Sequence, residues 1–152
     1  MAEPKELTLS RVRDYMTPDP QTLDVQNTLL DAVLLIRRAE LRHIPILQDG
    51  RIVGILTDRD VGRVAPSVLS PVSPQEYNRF FEETRVGKVM TRNPVSIAPE
   101  APLAEAVNLV YKNKLGCLLV LDGDRLIGII TVSDMLRALY DLVSSSDSAE
   151  QG

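Results

Sequence analysis

Sulfur and aromatic chemistry are scarce in this chain. Its 152 residues hold one cysteine, one histidine, no tryptophan, four tyrosines and two phenylalanines. A lone thiol, Cys117, can close no internal disulfide and can build no cysteine-rich metal site. Apolar runs all stop short of the roughly 18 residues that cross a bilayer. Met1-Ala2-Glu3-Pro4-Lys5-Glu6 lacks the apolar stretch of a signal peptide. Positive charge is short as well: 17 Lys and Arg face 21 Asp and Glu, a net charge of −4. No overall field therefore draws the chain to nucleic acid or to anionic lipid. The expectation is a cytoplasmic globular protein with no nucleic-acid and no membrane partner. No nucleophile stands beside a base and no metal cluster is visible, so an enzyme is not expected.

What the chain does have is a repeat. Gly54-Ile55-Leu56-Thr57-Asp58-Arg59-Asp60-Val61-Gly62-Arg63 returns as Gly128-Ile129-Ile130-Thr131-Val132-Ser133-Asp134-Met135-Leu136-Arg137, a register of 74 residues. Met16-Thr17 returns in the same register as Met90-Thr91, Pro20 as Pro94, Leu29 as Leu103, and Ala32-Val33 as Ala106-Val107. A gap-free repeat of this length signals two copies of one supersecondary unit. Each copy is too short to bury a stable core alone, so the copies are expected to pack together.

Hydrophobic periodicity orders the elements within each copy. In the first, a short strand near Thr22-Leu23 precedes a helix from Asn27 to Ala39, with a capping signal in Thr28 and Asp31. A strand from His43 to Leu47, the turn Gln48-Asp49-Gly50-Arg51 and a strand from Ile52 to Leu56 make a hairpin. A second helix begins at Thr57. The second copy repeats the order: strand Val95 to Ile97, helix Pro102 to Tyr111, strands Cys117 to Leu121 and Leu126 to Ile130, and a helix from Ser133 to Val143. The fold class is α+β, with β-α-β-β-α in each copy. The boundaries are a loose lead-in over 1–10, a first motif over 11–64, a linker with a helix from Pro74 to Glu83 over 65–85, and a second motif over 86–143. Residues 144–152, rich in Ser, Asp and Glu without apolar periodicity, are expected to be disordered.

The element order, closed each time by Gly-apolar-apolar-Thr-x-x-Asp, resembles a tandem pair of CBS motifs, the Bateman module, over residues 11–64 and 86–140. Thr-Asp-Arg-Asp followed by Ala65-Pro66-Ser67 and a helical insert is similar to the stand-alone acetoin-utilisation regulatory subgroup. The resemblance implies two motifs paired by pseudo-two-fold symmetry. It also implies clefts that take an adenosine compound, whether AMP, ADP, ATP or S-adenosylmethionine, with no required cofactor. Carried onto this sequence, Thr131 and Asp134 face Met16, Pro20, Gln21, Leu41 and Arg42. In the mirror site Thr57 and Asp60 face Met90, Pro94, Val95, Leu115 and Gly116. The implied partners are a second copy of the chain, in a homodimer, and an effector protein that the sequence does not identify.

The residue chemistry suits such a ligand independently. An ionised aspartate accepts hydrogen bonds on two oxygens and suits a ribose diol. Thr57 and Thr131 stand where a strand enters a helix, and the free amides there favour phosphate. Ile55 with Leu115, and Ile129 with Leu41, would wall the adenine; no aromatic falls in these motifs. Arg42 and His43 offer phosphate contacts, whereas the second copy has Gly116-Cys117 at that place. The competing reading is that Thr-x-x-Asp is only a capping box, in which the acid reaches back to its own N-cap. On that reading an aspartate so folded holds no ribose, and the module is a ligand-free dimerisation scaffold.

Overall fold

The computed structural model describes residues 9–67, 69 and 71–150, so the expected lead-in lies outside the described residues apart from Leu9 and Ser10. The chain divides into two compact units. One is contiguous, Gln21–Pro94, and the other joins Met1–Pro20 to Val95–Gly152.

The contiguous unit is built on a four-stranded sheet whose strands lie side by side in chain order. Strand β2 (Leu23–Asp24) leads to helix α2 (Leu29–Ala39). Thr28 caps it: its hydroxyl accepts from the Asp31 amide at 3.2 Å, while the Asp31 carboxylate accepts from the Thr28 amide at 2.9 Å. The helix therefore starts two residues later than the expected Asn27, because Thr28 is the cap and not the first turn. It ends at Glu40 in a left-handed conformation, φ 53°. Strands β3 (His43–Gln48) and β4 (Arg51–Thr57) form the expected hairpin. Its turn residues Asp49 and Gly50 take φ of 53° and 79°, the signs of a type I′ turn whose twist matches the strands. Leu29, Ala32, Ile44, Ile46, Leu56 and Val86 bury completely in one core, and each large aliphatic among them contributes about 1.5–3 kcal/mol.

After β4 comes helix α3 (Asp58–Val64), and then the insert helix α4 spans Pro74–Glu83, the range expected. Ser73 caps α4 at the Glu76 amide and Pro74 occupies its first turn. The insert is no free linker. Phe80 and Phe81 pack against the core, the Thr84 carbonyl accepts from the Leu29 amide at 2.9 Å, and the Val86 amide donates to the Asn27 carbonyl at 2.8 Å. A 3₁₀ turn over Val86–Lys88 then delivers edge strand β5 (Thr91–Arg92).

The second unit is also built on a four-stranded sheet, in which the chain's first strand lies beside its last. Helix α1 (Val12–Tyr15) and strand β1 (Thr17–Pro18) come from the start of the chain. Strand β6 (Ser96–Ile97), helix α5 (Leu103–Asn113), strands β7 (Cys117–Asp122) and β8 (Arg125–Thr131) and helix α6 (Val132–Glu150) come from its end. Val12, Ala106, Leu118, Val120 and Ile130 are fully buried in its core. The closing helix corrects the expected disordered tail. It runs on to Glu150, since no glycine or proline interrupts Ser144–Glu150 and an established helix adds residues far more readily than it nucleates. Gln151 and Gly152 lie outside the described residues.

Strands β1 and β5 are absent from the sequence expectation, and they carry the topology. Each is the lead-in of one repeat paired with the hairpin of the other: Thr17 sits opposite Ile129 on β8, and Thr91 opposite Ile55 on β4. The sequence repeat and the compact unit are thus different pieces of chain. The crossing requires the repeated glycines. A Cβ on Gly54 would lie 2.5 Å from the Met90 sulfur and 2.8 Å from the Thr91 carbonyl oxygen. On Gly128 it would lie 2.6 Å from the Met16 sulfur and 3.0 Å from the Thr17 carbonyl oxygen. Gly54→Ala and Gly128→Ala should each lower stability by about 1–3 kcal/mol, the cost of overpacking, read as a lower urea midpoint. Gly62→Ala, where a Cβ meets nothing within 4 Å, serves as the control.

Candidate functional site

Each unit presents one copy of the closing motif at the junction of its last hairpin strand with the following helix. In the contiguous unit, Thr57 ends β4 in an extended conformation and caps α3. Its hydroxyl accepts from the Asp60 amide at 3.1 Å, and Asp60 Oδ2 accepts from the Thr57 amide at 3.0 Å. Asp60 is 4% exposed, the one buried charged residue among the described residues. Its other oxygen is occupied too. Arg63 donates to Oδ1 at 2.5 Å, and the Thr91 hydroxyl lies 3.3 Å from Oδ1 and 3.4 Å from Oδ2.

The other unit repeats the box with a different outcome. Asp134 Oδ2 accepts from the Thr131 amide at 2.9 Å and from the Thr131 hydroxyl at 3.1 Å, and the Asp134 amide donates to that hydroxyl at 3.2 Å. Oδ1 has Arg137 at 3.9 Å, beyond hydrogen-bond range. Arg137 points elsewhere: it donates to the Tyr15 carbonyl at 2.9 Å and lies 5.5 Å from the centre of the Tyr15 ring. The Tyr15 hydroxyl is in turn fixed by Asp141 at 3.0 Å.

Both aspartates therefore cap their own helices, as the competing reading expects, each cap contributing about 0.5–2 kcal/mol. The inference that a capping aspartate holds no ribose does not follow from this geometry. A carboxylate has about four acceptor sites, and at Asp134 the box occupies one oxygen only. Thr91, Arg63, Arg137 and Tyr15 are neighbours of the two motifs that the sequence reading missed. For Thr91 and the two arginines the signal was present in the repeat itself, since Met16-Thr17 returns as Met90-Thr91 and both closing phrases end in arginine.

Around the first motif, His43 lies directly opposite Thr57 in the sheet, and the Arg42 carbonyl accepts from the Asp58 amide at 3.2 Å. The Arg42 side chain is exposed and His43 is half-buried. Ile55 is buried on β4 opposite Thr91, Leu41 packs partly buried on the same core, and Gln21 is exposed ahead of β2. Around the second motif, Ile129 is buried opposite Thr17, and the Gly116 carbonyl accepts from the Val132 amide at 3.1 Å. Leu115 packs partly buried on that unit's core, and Val95 is exposed while its carbonyl accepts from the Leu119 amide at 3.0 Å. Each unit thus gathers its Thr, its Asp and one apolar strand residue. The Met90 and Met16 neighbours implied by the resemblance also fall beside the expected motifs, against Gly54 and Gly128.

Burial holds the Cys117 thiol up at about 12; a thiol so protonated is a poor nucleophile. Among the described residues no group of His, Cys, Asp and Glu could hold a metal ion, and no helix is long and apolar enough to cross a membrane.

The sequence profile of the CBS domain matches residues 12–66 and 86–141. The chain belongs to the CBS-domain family. A CBS domain-containing protein of Dictyostelium discoideum is 32% identical over 134 residues, spanning 87% of this chain and 92% of the relative. Among solved structures, a Vibrio cholerae protein named for acetoin utilization (AcuB) is 33% identical with a TM-score of 0.74, covering 92% of this chain and 97% of that one. CBSX2, solved in complex with AMP, is 26% identical with a TM-score of 0.72, covering 86% and 97%. The family fold of two CBS motifs and the likeness to the acetoin-utilisation group thus agree with the sequence reading.

Within this CBS pair, His43 titrates low. Desolvation is the main cause, with Arg42 and Arg59 acting in the same direction and Asp58 and Asp60 opposing. A folded pKa below the unfolded value means that the unfolded chain binds more protons. His43 accordingly contributes stability that is full above about pH 6.5 and is lost as pH falls through the lower folded pKa. Proton NMR of the single imidazole should show a midpoint below that of the urea-unfolded chain. His43→Gln should flatten the decline of the urea midpoint between pH 7 and 5. A folded midpoint at or above the unfolded one would refute the assignment.

Proposed function

We propose that this CBS pair is a regulatory module that senses an adenosine-containing nucleotide, AMP, ADP, ATP or S-adenosylmethionine, and transmits its occupancy to an effector protein. The observation that carries the reading is the second motif. Asp134 keeps one carboxylate oxygen clear of its capping box, beside a threonine hydroxyl at a helix N-terminus. Family membership and the AMP complex of CBSX2 support the choice of ligand class. In this reading the aspartate takes a ribose hydroxyl, the α6 amides and Thr131 favour the phosphate, and Ile129 gives the adenine an apolar wall. The corresponding residues of the first motif are Thr57, Asp60 and Ile55. Leu41, Leu115, Val95 and Gln21 complete the binding surfaces, and Arg42 and His43 read phosphate charge.

Thermal shift with AMP, ADP, ATP and S-adenosylmethionine tests the class, since a ligand at 100 times its Kd adds about 2.7 kcal/mol. Calorimetry then tests the residues. Asp134→Asn should weaken the bound nucleotide about tenfold or more, the worth of one charged hydrogen bond. Arg42→Ala should weaken AMP far more than adenosine. No shift with any of the four compounds would remove the sensor reading.

A scaffold role has its own supporting observation. Val132, Leu136, Leu139, Tyr140 and Val143 are exposed at helical spacing on α6, an apolar stripe suited to a homodimer. Light scattering at micromolar concentration should give twice the chain mass; a monomer there would exclude it. Dimerisation without any nucleotide effect would favour the scaffold.

A further inference from the structure

The two copies of the motif share their arginine, three residues beyond the aspartate, yet hold it at different distances from that aspartate. Arg63 donates to Asp60 Oδ1 at 2.5 Å, and Thr91 approaches both oxygens of the same carboxylate. The Asp60 side chain is 3% exposed and both of its carboxylate oxygens are engaged. Arg137, the matching arginine, donates instead to the Tyr15 carbonyl and lies over its ring, which leaves it in a longer ion pair 3.9 Å from Asp134 Oδ1, and the Asp134 side chain is 13% exposed. The cause lies in the lead-ins. Tyr15 corresponds in the repeat to Val89, which offers the same backbone carbonyl but no ring to hold a guanidinium. Arg63 therefore has no such aromatic partner and turns to its own aspartate.

We propose that Arg63 is a latch that closes the first motif to a ribose, and that Tyr15 is the positioning residue that keeps the second motif open by restraining Arg137. This rests on the nucleotide-sensor reading and deepens it: the chain takes one adenosine ligand, at Asp134, and the Asp60 motif stays shut until Arg63 is displaced. A carboxylate bound by its own cap, a guanidinium and a hydroxyl has no oxygen free of a donor to offer a diol. A carboxylate bound only by its cap has one. Arg63 is itself 74% exposed, so the latch sits on a side chain that can swing into solvent.

The test is calorimetry with AMP on the full chain. Wild type should bind one AMP per chain, and Arg63→Ala should bind two. Tyr15→Val should lose at least tenfold in affinity, as Arg137 falls onto Asp134. Tyr15→Phe, which keeps the ring, should bind like wild type. The double variant Tyr15→Val with Arg137→Ala should recover the affinity, which a merely unfolded or loosened variant could not do. Two equivalent sites in wild type, an unchanged stoichiometry in Arg63→Ala, or no recovery in the double variant would each overturn the latch.

If neither wild type nor any variant binds AMP, ADP, ATP or S-adenosylmethionine, the sensor reading fails and the latch is judged by folding alone. A urea double-mutant cycle on Asp60→Asn and Arg63→Ala should show a coupling of fivefold or more in the folding constant. The cycle on Asp134→Asn and Arg137→Ala should stay within twofold. Equal couplings would overturn the latch without reference to any ligand.

Discussion

The contact on which the rest depends is the approach of a lead-in strand to a backbone that bears no side chain. At Gly54 the Met90 sulfur and the Thr91 carbonyl oxygen occupy the space that any Cβ would need, and Met16 and Thr17 do the same at Gly128. Only this closeness lets Thr91 pair with Ile55 and Thr17 with Ile129. The lead-ins then deliver what the hairpins lack. Thr91 reaches the Asp60 carboxylate, and Tyr15 reaches Arg137. A motif that reads in sequence as Gly-apolar-apolar-Thr-x-x-Asp is therefore finished by residues from the opposite end of the other repeat.

The capping box sets the second condition. Thr57 and Asp60, like Thr131 and Asp134, satisfy amides that a helix start would otherwise leave unpaired. The same geometry presents a carboxylate, a hydroxyl and a positive helix end together. Structural and binding roles are not rivals at such a junction. What separates the two copies is the occupancy of one further oxygen, and that is decided by an arginine and by what stands beside it.

Much of this was legible in the residues. The capping pair Thr28 and Asp31, the turn at Asp49-Gly50, the insert helix at Pro74–Glu83 and both hairpins carry local signals, because caps, turns and helical stripes depend on neighbours in sequence. The edge strands β1 and β5 were not legible, since two residues carry no period and their pairing is decided by a glycine far away in the chain. The close of α6 was missed for a different reason: polar composition marked Ser144 onward as disordered, although nothing there stops a helix already running. At the site, the aspartates and threonines followed from the repeat, whereas the different placements of Arg63 and Arg137 did not. Their difference comes from Tyr15 and Val89, which are far from either arginine in sequence and matter only once the lead-ins are exchanged.

That exchange orders events in time. The unit over Gln21–Pro94 is contiguous, so every strand of its sheet has left the ribosome once Pro94 emerges. The other unit cannot close then. Its α1 and β1 are made first but must wait for β8, with an entire folded body synthesised in between. Because loop-closure entropy grows only with the logarithm of length, and a folded insert shortens the effective loop, the wait costs little at equilibrium. During synthesis, however, Val12 and Met16 lack the core that later covers them, and exposed apolar segments of this kind are where nascent chains associate wrongly. An early lead-in carrying charges at Arg11, Arg13 and Asp14 is better suited to that interval than an unbroken apolar strand.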